Sequence, residues 1–101
     1  MKFSEIKNML SRTGIPTAYH RFNSGQRPPY ICFYIPSENN FSADGRVFHS
    51  FKRLRVDLYT AEKDEAAEAA VEAALKGFYY TKDEEYLDDI KCYQIIYQLE
   101  V

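Results

Sequence analysis

A chain of 101 residues is short for two cores, and 46% apolar with 28% charged residues is an ordinary globular composition, so a single domain over residues 1–101 is expected. The net charge of −2 supplies no general attraction to nucleic acid, and a sequence-specific nucleic-acid partner is not expected. The N-terminal residues lack the apolar core of an export leader. The longest apolar run, Tyr30 to Ile35, is too short for a bilayer, so no membrane partner is expected.

Taken in chain order, Phe3, Ile6 and Leu10 form one stripe of an amphipathic helix. With Ser4 as cap and Gly14 and Pro16 as stop signals, the helix is predicted over residues 4–13. Thr17 to Phe22 has the composition of a short strand. Pro28-Pro29 then introduces the aromatic and β-branched run Tyr30 to Ile35, a second strand, which Pro36 ends or bulges. Residues 37–45 are polar and close on Asp44-Gly45, which predicts a loop carrying one lone aromatic, Phe41. Arg46 to Thr60 alternates Leu54, Val56 and Leu58 with Arg53, Arg55 and Asp57, so a strand of about 45 Å with one buried face is expected. The strands on either side of the Asp-Gly turn should form an extended hairpin.

Asp64 caps a second predicted helix that runs to about Lys76 and stops at Gly77. Its inward stripe is Ala67, Val71, Ala74, Leu75 and Phe78, and Glu65 and Glu68 in its first turns suit the helix dipole. Tyr79-Tyr80 and Tyr86-Leu87 flank an acidic loop, Asp83-Glu84-Glu85. Lys91 to Val101 alternates as a last strand. The predicted fold is α+β, in the order α-β-β-β-α-β-β, with a mostly antiparallel sheet and both helices on one face.

The residues that could carry chemistry do not assemble into a known motif. The four glycines are isolated, with neither a P-loop nor a dinucleotide fingerprint. Cys32 and Cys92 lie inside predicted strands without close spacing, as buried thiols do. With His20 and His49 they make a sparse set of ligands, so no metal and no cofactor is expected. The acidic segment has neither the spacing nor the glycine of a calcium loop. A His/Cys pair brought together by folding would still need an orienting group and an oxyanion site, so the chain is not expected to be an enzyme. Arg46, Lys52, Arg53 and Arg55 form a basic group, but Asp57 interrupts it. The charge is uneven along the chain: residues 1–61 carry +5 and residues 62–101 carry −7. A protomer whose basic patch meets the acidic patch of a neighbouring copy would use that distribution.

Across its length the chain resembles the tail terminator (tail-completion) proteins of long-tailed bacteriophages and prophages. The similarity lies in Thr13-Gly14-Ile15-Pro16, Pro28-Pro29-Tyr30-Ile31-Cys32, residues Asn39 to Gly45, Asp57-Leu58-Tyr59-Thr60 and Lys91 to Tyr97. It implies a structural protein of the virion, assembled in the bacterial cytoplasm and placed at the head–tail junction. There a ring, typically six-fold and in some cases formed only on the tail tube, ends tube polymerisation and joins the head. Its implied partners are further copies of itself, the tail tube protein and the head connector protein. Together with the charge pattern, this makes Asn39, Asn40, Phe41, Asp44, Arg46, Arg53, Arg55, Asp83, Glu84 and Glu85 the candidate interface, with the 37–45 loop docking a neighbouring ring. The alternatives are a head-side connector or stopper ring, and a small protein- or nucleic-acid-binding module.

Overall fold

A computed structural model describes the backbone of residues 1–43 and 46–101, and the side chains of all but residues 39–50. The first helix, α1, is Phe3–Ser11. It starts earlier than predicted because the Glu5 carboxylate, and not Ser4, accepts the Lys2 backbone N–H at 2.8 Å. Ile6, Met9 and Leu10 point inward. Phe3 stays 41% exposed, resting its ring on Tyr19 and Phe33 at 5.1 and 5.7 Å between centroids. Gly14 follows with φ of +72°, a left-handed turn that costs glycine little.

Three strands come next. β1 is Thr17–Tyr19, β2 is Tyr30–Ala43 and β3 is Arg46–Thr60. β1 pairs parallel with β2, and β2 pairs antiparallel with β3. Asp64 caps α2, Glu65–Ala74, its carboxylate accepting the Ala67 N–H at 3.0 Å. β4, Tyr80–Leu87, and β5, Cys92–Glu100, complete the sheet in the spatial order β1-β2-β3-β5-β4. β5 is antiparallel to both β3 and β4, so β3 and β4 run parallel, joined through α2 with β5 inserted between them. The α+β fold and the element order expected from the sequence are those observed.

Both helices cover the same sheet face. Ile6, Met9 and Leu10 from α1 and Ala67 and Val71 from α2 join Leu75 over Ile31, Phe33, Leu54, Val56, Leu58, Ile95, Tyr97 and Leu99 in one core. The two central strands, β3 and β5, supply most of the sheet side of this core. Among the described residues, no helix is long and apolar enough to cross a membrane.

Two predicted loops are strands instead. The polar segment 37–45 continues β2 as far as Ala43, and residues 44 and 45, with candidate Asp44, lie outside the described residues. The register passes from Tyr34↔Arg55 to Ser37↔Arg53, so β2 holds one extra residue around Pro36. A bulge suits a residue that has no N–H to give to the ladder. β5 follows β3 as far as Val101, which exchanges two hydrogen bonds with Lys52, both at 2.9 Å; residues 46–51 of β3 pair with β2 as a two-stranded arm, and the molecule measures 51 × 27 × 22 Å. The acidic segment is likewise part of β4. It forms one edge of the sheet and pairs only with β5.

Leu58 is fully buried on a central strand. Leu58→Ala is therefore expected to lower the unfolding free energy by about 2–5 kcal/mol in urea titrations. A loss below about 1 kcal/mol would remove Leu58 from the core.

Candidate functional site

Among the described residues no helix covers the opposite sheet face; Phe22, from the segment after β1, packs on Tyr30 at 5.7 Å between centroids, and the polar residues of the face seal its centre. Register places Tyr30, Cys32 and Tyr34 of β2 on this face, with Arg53, Arg55, Asp57 and Tyr59 of β3. Cys92, Gln94, Ile96, Gln98 and Glu100 of β5 and Thr81, Asp83, Glu85 and Leu87 of β4 complete it. At its centre Asp57 is only 1% exposed. Its carboxylate accepts two hydrogen bonds from Arg55, Nε to Oδ1 at 2.9 Å and Nη2 to Oδ2 at 3.0 Å. Gln94 Nε2 adds a third, to Oδ2 at 3.1 Å, and also donates to the Tyr59 hydroxyl at 3.1 Å. The Tyr59 and Tyr34 hydroxyls share a hydrogen bond, and the Tyr34 ring lies 5.7 Å from the Arg55 guanidinium. A buried carboxylate this well bonded is held in place and is not free to act on a ligand.

Burial, with the nearby charge of Asp57, raises the phenols of Tyr34 and Tyr59 and the thiol of Cys32 above their ordinary values. His20 and Cys32 both line a hollow of about 360 Å³, with Phe22, Tyr30, Tyr34 and Tyr59. A thiol held in its protonated form by burial and a neighbouring carboxylate is a poor nucleophile. Cys92 is also buried and free. Among the described residues, no three His, Cys, Asp or Glu side chains come together as a metal site.

The candidate interface residues divide. The side chains of Asn39, Asn40, Phe41 and Arg46 lie outside the described residues; their backbones belong to the arm. Arg55 is taken up by Asp57, so its charge is balanced within the protomer. Arg53, exposed at the root of the arm, has no ion pair among the described residues. Asp83-Glu84-Glu85 is split by the alternation of β4. Glu84 turns to the helix side and meets Lys63 at 2.7 Å, whereas Asp83 and Glu85 lie exposed on the other face without an ion pair among the described residues.

The helix side of β4 is held by a network that the sequence pattern does not announce. Glu68, 4% exposed, lies 2.8 Å from both Lys63 and Lys82. Lys82 also meets Glu72 at 2.8 Å, and the Tyr97 hydroxyl donates to the same Glu72 oxygen at 2.8 Å. These contacts fasten the edge strand to α2 and to β5. Spacing gave one hint: Glu68 and Glu72 stand four residues apart on α2, but Lys82 reaches them only through the fold.

A comparison with protein-family models gives no match, and neither does a comparison with curated proteins.

Burial pushes the Glu68 carboxyl up, but hydrogen bonds from Lys63 and Lys82 outweigh it and hold the group below its ordinary value. The Lys82 hydrogen bond lowers Glu72, against burial, with Tyr97 helping. A carboxylate depressed by folding stabilises fully above its unfolded value of about 4.3, and that stability is lost as pH falls through the lower folded values. The thermal unfolding temperature should therefore fall progressively below about pH 4.3. Glu72→Gln should reduce the slope there, and an unchanged slope would mean that the Glu72 contacts do not form in solution.

Proposed function

We propose that the chain is a non-enzymatic assembly protein whose copies form a ring on the tail tube of a long-tailed phage or prophage. The ring ends tube polymerisation and presents the surface that joins the head. One observation carries this reading: each protomer has two unlike, uncovered features at separate places on its sheet. One is the two-stranded arm beyond the Lys52↔Val101 pair, and the other is the edge of β4, whose Asp83 and Glu85 have no ion pair among the described residues. A pair of unlike patches is what a cyclic, head-to-tail assembly requires, because each copy gives one patch and receives the other. The motif similarities of the sequence support the placement at the tail.

The central polar residues argue in the same direction. Asp57, Gln94 and Tyr59 bond to one another, and the one thiol in the nearby hollow is held protonated. Nucleic-acid readout is the weaker alternative, because Asp57 neutralises Arg55 on the face where bases would stack.

Light scattering after size exclusion is expected to show a ring-sized species, alone or on addition of tail tube protein, that dissociates as salt shortens the screening length. Deleting the gene from an inducible prophage should give tails of uncontrolled length in electron micrographs. Tails of normal length joined to heads in the deletion strain would overturn the proposal.

A further inference from the structure

We infer that the β4 edge of one copy of this chain docks antiparallel against the β1 edge of the next, with Tyr86 entering the groove between α1 and β1. β1 and β4 stand at the two ends of the sheet order, and each has a strand neighbour on one side only. The Ile31 N–H donates to the Pro16 carbonyl and the His20 N–H to the Phe33 carbonyl, so Thr17 and Tyr19 turn their main-chain groups outward. The Tyr19 carbonyl already accepts the Arg21 N–H at 2.8 Å. β1 therefore offers few ladder bonds, and side chains must select its partner.

The strand directions permit the joint. β1 runs parallel to β2 and β5 and antiparallel to β3 and β4. A copy placed alongside by a shift across the sheet brings its β4 antiparallel to β1, with the helices of both copies on the same side.

The side chains match on both faces. On the helix side, Phe3, Lys7, Ile15, Pro16, Tyr19 and Phe33 line an open groove of about 510 Å³. Phe3 and Tyr19 are each 41% exposed. Tyr86 of β4 lies on the helix side too, in register with Tyr93, and is 49% exposed. Seated in the groove, its ring covers aromatic surface that a single copy leaves to water. On the other face Arg21 lines the hollow beside Tyr30 and Tyr34, and both Arg21 and Lys7 are exposed without an ion pair among the described residues. Asp83 and Glu85 are the matching charges of β4. With Tyr19 set against Tyr86, the antiparallel register brings His20 level with Glu85 and carries Arg21 between Glu85 and Asp83. Like edges fit worse, since β4 on β4 opposes carboxylates and β1 on β1 opposes cations.

Each copy thus gives β4 and receives at β1, which leaves both unused edges available to further copies. The use of this contact rests on the ring reading, in which it joins copies within one ring and leaves the β2–β3 arm for a neighbouring ring; its chemistry does not.

Two charge-reversal variants test it: Asp83→Lys with Glu85→Lys on β4, and Lys7→Glu with Arg21→Glu beside β1. Each alone should self-associate at least about tenfold more weakly than the wild type by light scattering, with unchanged circular dichroism. Tail tube protein is added where the wild type needs it. Mixed in equal amounts the variants should regain assembly, at 1:1 by native mass spectrometry, since each supplies the sign the other now needs. Assembly at the wild-type level by either variant alone, or a mixture that stays dissociated, would overturn the docking while leaving a ring built another way. A wild type that stays monomeric even with tail tube protein would overturn the ring reading instead. The docking is then judged by disulfides between His20→Cys and Glu85→Cys copies. Yields well above those of a Lys76→Cys and Glu85→Cys pair would uphold it, and yields no higher would reject it.

Discussion

The structure depends on a constraint that follows from its layering: five strands are covered by helices on one side only. A sheet this small buries its apolar residues under α1 and α2, and its other face must still hold central strands away from water. Asp57 is where that requirement is sharpest, a carboxylate on a central strand with almost no exposed surface. Three hydrogen bonds from Arg55 and Gln94 offset its loss of water, and Tyr59 and Tyr34 extend the seal. Leaving any of these groups unpaired would cost more than the bond itself contributes, since a buried polar group without a partner bears its full desolvation penalty. The network is therefore structural first, and it uses up the arginine that would otherwise have been the strongest basic contact on that face.

A parallel arrangement holds β4 from the helix side. An edge strand bearing Lys82, Asp83, Glu84 and Glu85 in succession has little apolar area with which to stay attached. Its attachment comes from Lys82 and Glu84, which reach Glu68, Glu72 and Lys63 across the α2 surface. Glu68 is nearly buried, so its pairing with two lysines balances a charge that could not stay there alone. The alternation of the strand thus sorts four charges into two sets. One set binds the strand to its own domain, and the other faces outward.

How much of this was legible in the sequence follows from which residues have a face in the core. α2 was readable because Asp64, the stripe Ala67-Val71-Leu75 and Gly77 are local signals that packing did not override. β3 was readable because Leu54, Val56 and Leu58 all enter the core while their neighbours do not. Pro36 marked the bulge for the reason proline usually does. Residues 37–45 and the acidic part of β4 were read as loops because neither stretch alternates apolar with polar residues in the way that identifies a strand. A strand outside the main sheet, or one at its edge, is extended by its ladder and not by its side-chain pattern, so Asn39-Asn40 and Asp83-Glu84-Glu85 look like turns. Asp57 read as an interruption of a basic face. Its role became visible only when folding brought Gln94, 37 residues away in sequence, into contact with it.

The same two constraints bear on assembly. A charged edge strand is usually understood as protection, since repulsion keeps sheets from joining end to end. Protection and recognition are compatible here because the outward charges on β4 share one sign. Acidic groups alone repel another β4 and any acidic strand, yet they leave open the approach of a strand with unpaired arginine. Specificity of this kind comes as much from what is excluded as from what is bound.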